Sequence, residues 1–167
     1  MTDDLRQVAP VVVVPATWRD LRAVWDLEKL CFPEDSWPWI DILAALTFPD
    51  TVRLKALVGE ATVGFIVGDR RRSEGLGWIA TLGVHPGYRR RGIGAMLLDR
   101  CEIDLGVPRV RLTLRPSNLG ARRLYDLAGY QQIDLWQRYY RNGEDGVVME
   151  KLILPDHPSR DGGPLVR

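Results

Sequence analysis

The sequence predicts a single α/β domain of the α+β kind, with a mixed, mostly antiparallel sheet flanked by helices. Three observations carry this. Short runs rich in β-branched residues alternate with longer stretches whose apolar residues recur at three and four positions. Gly59-Glu60 and Asn142-Gly143 each sit between two apolar runs, as hairpin turns do. Gly106 with Pro108, and Gly129, close helical stretches just ahead of such runs.

The elements follow in order. Val11 to Val14 are β-branched and read as a first strand. Thr17 can cap a helix whose apolar face is Leu21, Val24, Trp25, Leu27, Leu30 and Cys31, and Pro33 ends it. A second short helix covers Trp37 to Phe48. Val52–Val58 and Thr62–Val67 form a hairpin, and Trp78–Val84 is the next strand. Ile93, Met96, Leu97, Cys101 and Leu105 mark a helix, Arg109–Leu114 alternates as a strand, and Leu119–Leu127 is a short helix capped by Ser117 or Asn118. Ile133–Tyr140 and Val147–Leu154 make a final hairpin. The order is β-α-α-β-β-β-α-β-α-β-β. One domain spans 1–154, and the proline- and glycine-rich residues 155–167 read as a flexible tail.

Composition excludes several classes. The 167 residues suffice for one domain with its own core. A net charge of +1 gives no reason to expect nucleic acid or an anionic membrane as partner. No apolar run reaches membrane-spanning length, and no signal peptide is visible, so the cytoplasm is the expected compartment. Cys31 and Cys101 lack metal-ligand spacing and fall on apolar helical stripes, which reads as two buried thiols; no metal is expected.

The chemistry concentrates between Leu82 and Leu98. A strand ends at Val84, Pro86-Gly87 turns the chain, and Arg89, Arg90 and Arg91 precede Gly92-Ile93-Gly94 at a helix start. The first helical turn has backbone N–H groups without intrahelical partners, and the macrodipole adds partial positive charge. Glycines let a phosphate approach closely, so the segment is suited to a pyrophosphate. It is not a dinucleotide fingerprint, since Leu97 stands where the third glycine belongs, and no Gly-Lys-Ser/Thr makes it a P-loop.

This strand, His-Pro turn and Arg-x-x-Gly-x-Gly string resembles the acetyl-coenzyme A signature of the GNAT N-acetyltransferase superfamily. Leu112–Tyr130, with Arg115-Pro116-Ser117-Asn118 and Leu124-Tyr125 ahead of Gly129-Tyr130, resembles a second segment of the same superfamily. Within it the chain is similar to the bacterial ribosomal-protein-alanine N-acetyltransferase group, through Cys31-Phe32-Pro33 with Trp37 and through Arg138-Tyr139-Tyr140 with Glu144-Asp145-Gly146. The resemblance covers roughly residues 10 to 154.

The resemblance implies roles. Backbone groups of Leu82, Gly83 and Val84 would pair with the pantetheine arm of acetyl-coenzyme A, the acetyl donor. Arg89, Arg90, Arg91, Gly92, Ile93, Gly94 and Ala95 would surround the pyrophosphate, and Asn118 would contact the same molecule. Tyr125 would be the catalytic residue, donating a proton to the leaving thiolate. Phe32, Trp37, Tyr139 and Tyr140 would meet the acceptor. Plainer readings stand beside these: Tyr125 packing on Ala121, Asn118 only capping its helix, and Tyr139 and Tyr140 as ordinary strand tyrosines.

One position departs from the pattern. Relatives carry a glutamate, proposed as general base, where this chain has Thr113. A neutral hydroxyl cannot take the amine proton. Glu34, Asp35 and Glu74 lie in flanking loops and are the carboxylates left to act through water, while His85 is read as a turn residue; the sequence names no base. Without a strong base, the acceptor is better an α-amine, with pKa about 7.7–8.0, than a lysine at about 10.4, a gap of roughly 3.5 kcal/mol. The expected activity is acetyl transfer to a primary amine by direct attack. The first choice of acceptor is a protein or peptide N-terminus, and the alternative is a small-molecule amine or amino acid. A binding module for acyl-coenzyme A with little catalysis is the rival of another class. A monomer or a homodimer is compatible with all three.

Overall fold

The computed structural model describes residues 9–153, so the expected tail over 155–167 lies outside the described residues. Strand β1 (Val11–Pro15) leads through a 3-10 turn (Trp18–Asp20) into α1 (Leu21–Cys31) and α2 (Trp39–Thr47). β2 (Thr51–Val58), β3 (Ala61–Arg71) and β4 (Leu76–Val84) follow as an antiparallel meander. α3 (Ile93–Leu105) crosses to β5 (Arg109–Leu114), and α4 (Leu119–Leu127) leads to β6 (Gln131–Trp136) and β7 (Gly146–Leu152). The element order is the predicted one, with 3-10 turns added at Trp18–Asp20, Arg72–Glu74 and Pro86–Tyr88.

The strands form one seven-stranded sheet in the order β1-β2-β3-β4-β5-β7-β6. Only β4 and β5 run parallel, because α3 carries the chain back across the sheet between them. β3 is buried along Val63–Gly68, which is why its sequence is a continuous apolar run rather than an alternation. The larger core lies under α3 and α4, with Leu97, Leu98 and Cys101 against Ile66, Val110 and Met149. α1 and α2 close a smaller core of Val24, Leu27, Ile42, Leu46 and Phe65.

Glycines set how closely α3 approaches the sheet. A Cβ at Gly68 would stand 2.8 Å from Cys101 Sγ, and one at Gly77 would stand 2.9 Å from a Leu105 methyl. Cys101 is therefore a packing residue, and burial pushes its thiol up to about 12.

Three expectations are corrected. Thr17 caps the 3-10 turn rather than α1 itself, its N–H reaching Asp20 Oδ2 at 2.8 Å. On α1 the buried line is Val24, Leu27 and Glu28, whereas Leu30 is 49% exposed. The strand expected over Ile133–Tyr140 is instead β6, which ends at Trp136 opposite Gly146. Arg138 turns into a left-handed conformation (φ 51°), and its N–H goes to Asp145 Oδ1 at 2.8 Å. Tyr139 and Tyr140 therefore belong to the connecting loop and not to a strand.

Candidate active site

β4 and β5 pair only from Leu76–Ile79 against Arg109–Leu112. Beyond Ile79 they part, while β4 keeps its partner β3 as far as Val84. A bulge leaves Ala80 unpaired between Thr81 and Ile79 at this point. One edge of β4 over Leu82–Val84 is thus without a strand neighbour among the described residues, and a cleft of about 650 Å³ opens beside it.

The cleft brings together most of the residues singled out in the sequence. Leu82, Gly83, Val84, Arg89, Arg90, Gly92, Ile93, Gly94, Ala95, Asn118 and Tyr125 line it, joined by Phe32. Arg91 stays outside and stacks over the Tyr88 ring at 5.0 Å. Arg123 and Cys31, not assigned to the site by sequence reasoning, also line the cleft.

The turn into α3 is built on left-handed backbone. Arg90 (φ 65°) and Gly92 (φ 77°) are both left-handed. The Gly92 carbonyl starts the helix by accepting from the Met96 N–H at 3.0 Å, so the N–H groups of the preceding turn are not spent on it. A Cβ at Gly92 would meet nothing within 4 Å, so the space above it is open to a ligand. At Gly94 a Cβ would lie 3.2 Å from a Leu124 methyl, so this glycine lets α4 approach α3.

Several assigned residues also have duties inside the fold. Arg89 Nε donates to the Val84 carbonyl at 3.0 Å, and Cys31 Sγ reaches the same oxygen at 3.4 Å, so that carbonyl is already engaged. Gly83 is required by the core, since a Cβ there would stand 2.5 Å from the Phe65 ring. Asn118 caps α4, its Oδ1 accepting from the Ala121 N–H at 3.1 Å. His85 is the turn residue expected, accepting the Gly87 N–H on Nδ1 at 3.0 Å.

A second cavity, about 160 Å³, lies where the strands part, lined by Ile79–Leu82 of β4 and Leu112–Leu114 of β5. Phe32, Leu82, Asn118, Ala121 and Tyr125 border both spaces, so Tyr125 stands where they meet. Its side chain is 7% exposed, and burial, reinforced by Tyr140 and Cys101, pushes its phenol well above the ordinary value. It stays protonated across the physiological range and can act as a donor. Trp37 and Tyr140 line the smaller cavity with Glu28, Asp35, Thr113 and Arg115. Tyr139 does not line it: it is 52% exposed and packs on Trp136, with ring centres 5.3 Å apart.

Two features of this cavity escaped the sequence reading. Arg115 clamps its mouth: Nε donates to Asp35 at 2.9 Å and Nη1 to Glu144 at 2.7 Å, while the guanidinium lies 3.9 Å over the Tyr140 ring. Asp35, one of the loop carboxylates, is therefore held by a cation, and Glu74 lies in the 3-10 turn between β3 and β4, outside both cavities. The second is Glu28, whose signal was its place between Val24 and Cys31 on the inner stripe of α1, a charge where an apolar residue belongs. Thr113 Oγ1 is buried and has no hydrogen-bond partner among the described residues.

An unpaired stretch of sheet edge, a helix start on left-handed backbone and a buried phenol at the junction of two cavities thus come together in one place. The chain belongs to the acetyltransferase (GNAT) family, whose profile matches residues 19–130, and is thereby an acyltransferase. It is 33% identical over 149 residues to the N-alpha-acetyltransferase RimI of Mycobacterium tuberculosis, covering 85% of this chain and 92% of that one. Its fold is similar to the ribosomal-protein-S18-alanine N-acetyltransferase of Escherichia coli, with a TM-score of 0.80 at 20% identity, over 90% of this chain and 98% of the other. It is also similar to Arabidopsis thaliana NAA60 in complex with acetyl-CoA, with a TM-score of 0.75 at 22% identity, over 86% and 99% of the two chains.

Proposed function

We propose that this enzyme transfers acetyl from acetyl-coenzyme A to the α-amine of a protein or peptide N-terminus. The observation that carries the reading is the junction at Tyr125, where a long cleft suited to the donor meets a small cavity suited to the acceptor. The pantetheine arm lies along the open edge of β4 at Leu82 and Gly83, and the pyrophosphate sits on the backbone from Arg90 to Ala95. The acceptor enters between Phe32, Trp37 and Tyr140. Attack of the free amine on the thioester carbon forms the C–N bond, the C–S bond breaks, and Tyr125 gives its proton to the sulfur.

The relatives named above for N-terminal acetylation favour a chain terminus as acceptor. The reading places the enzyme in the cytoplasm, whose reducing conditions suit free thiols at Cys31 and Cys101. Incubation with acetyl-coenzyme A and a panel of peptides and small amines, followed by mass mapping of the acetyl group, tests it. Acetyl on peptide α-amines is the expected result. Acetyl on lysine side chains or on small amines alone would redirect the assignment.

A further inference from the structure

We propose that Glu28 is the proton acceptor for the attacking amine, supplying from α1 what Thr113 cannot supply from β5. This rests on the amine-acetylation reading above. Glu28 lies on the inner face of α1 and is 1% exposed, yet it lines the small cavity that Thr113 and Tyr125 also line. Its carboxylate is held in place from two sides. Oε1 accepts the Trp37 N–H at 3.3 Å and Oε2 accepts the Thr81 hydroxyl at 3.1 Å. Each oxygen keeps a further lone pair for an incoming ammonium or a bridging water.

The other acid of the cavity, Asp35, is already engaged by the Arg115 guanidinium. Glu28 has only neutral donors as partners and no ion pair among the described residues. Burial accordingly pushes its carboxyl above the ordinary range, against the two hydrogen bonds that lower it. A carboxyl raised in this way takes a proton from an ammonium more readily than one held by a cation. The titratable groups facing it are Cys31 on its own helix and Asp35, Arg115, Tyr125 and Tyr140 across the cavity.

The proton balance closes. Glu28 takes one proton from the acceptor ammonium, and the free amine adds to the thioester carbon. The electron pair of the breaking C–S bond leaves on sulfur, which takes the Tyr125 proton. The surplus proton on the new amide nitrogen restores Tyr125, and Glu28 releases its proton to solvent.

Glu28→Gln keeps size and shape and removes the base. At pH 7 turnover of a peptide acceptor should fall about a hundredfold or more, while acetyl-coenzyme A affinity by calorimetry stays within about twofold. Turnover should recover as pH rises to about 9, because an α-amine with pKa about 7.7–8.0 then loses its proton unaided. Turnover unchanged at pH 7, or a loss that persists at pH 9, would overturn the proposal, the second outcome marking Glu28 as a group that only anchors Trp37. Should the variant not fold, the pH profile of kcat/KM for the unaltered enzyme decides, measured with two acceptors whose α-amines differ in pKa. An acidic limb common to both supports an enzyme carboxylate, and limbs that move wholly with the acceptor exclude it. An unaltered enzyme that acetylates no amine overturns the assigned activity itself, a result distinct from failure of Glu28 alone.

Discussion

Arg115, just past the end of β5, donates through Nε to Asp35 at 2.9 Å, tying the loop between α1 and α2 to the far half of the sheet across 80 positions of chain. The same guanidinium reaches Glu144 in the loop between β6 and β7. Two loops beside the smaller cavity are thus held by one side chain, and Asp35 and Arg115 both line that cavity.

Arg115→Ala should loosen this mouth without touching the donor cleft. The KM for a peptide acceptor should rise several-fold, with acetyl-coenzyme A affinity unchanged. The fold should lose between about 1 and 3 kcal/mol, since two charge-assisted contacts vanish at a partly exposed site. Steady-state kinetics and a urea titration check both, and an unaltered KM would show the clamp to be irrelevant to acceptor entry.

Glu144 gives the clamp a defined acid limit. Hydrogen bonds from Ser117, and then Arg115, hold its carboxyl down at about 2. A carboxyl depressed in the folded state stabilises it above its ordinary pKa, about 4.3, and the contribution fades as pH falls toward 2. The difference in thermal midpoint between the unaltered chain and Glu144→Gln should therefore be full at pH 6 and shrink steadily between pH 4 and pH 2. A difference constant across that range would mean that the carboxylate makes no net contribution.

Gly92→Leu tests the phosphate turn. The new side chain enters open space above a left-handed residue, where it blocks the ligand and strains the backbone by roughly 1–3 kcal/mol. Calorimetry should find acetyl-coenzyme A binding weakened beyond detection, with circular dichroism still reporting the native fold. Retained affinity would remove the pyrophosphate from this turn.

Tyr125→Phe keeps the ring against Tyr130, 5.5 Å away, and removes only the donor. General acid catalysis is worth about 10²–10⁴-fold, so kcat should fall within that range while donor affinity changes little. Unchanged turnover would mean that water protonates the thiolate.

Thr113→Val replaces a buried hydroxyl that has no partner among the described residues with an apolar group of the same shape. Stability should hold or improve slightly, because an unsatisfied polar atom is removed. Turnover should stay within a few-fold. A hundredfold drop, about 2.7 kcal/mol of barrier, would give the hydroxyl a role in the proton path that its chemistry does not suggest.

The order of elements was legible because each boundary had a local chemical cause: Gly106 and Gly129 close helices with positive φ, and Asn118 opens one with its side chain. The turn before α3 was legible for the same reason, since it is contiguous in sequence. The small cavity was legible only in part, through Phe32, Trp37 and Tyr140. Glu28, Thr81 and Arg115 come from α1, β4 and the residue after β5, and only the parting of β4 from β5 gathers them round one space. Periodicity also misled at Leu30, where the true stripe passes through a glutamate, and at Tyr139, where Arg138 takes the chain out of its strand.

The exposed edge of β4 has a consequence beyond catalysis. Past Ile79 the sheet is an unfinished structure, and a pantetheine arm lying there would complete it as a missing strand does. Whatever binds only the native chain stabilises it, by about 2.7 kcal/mol when free ligand is a hundred times its Kd. Opening of this region to proteases and to solvent exchange would then be set by the local supply of acetyl-coenzyme A, so the lifetime of the protein would track the metabolite it consumes.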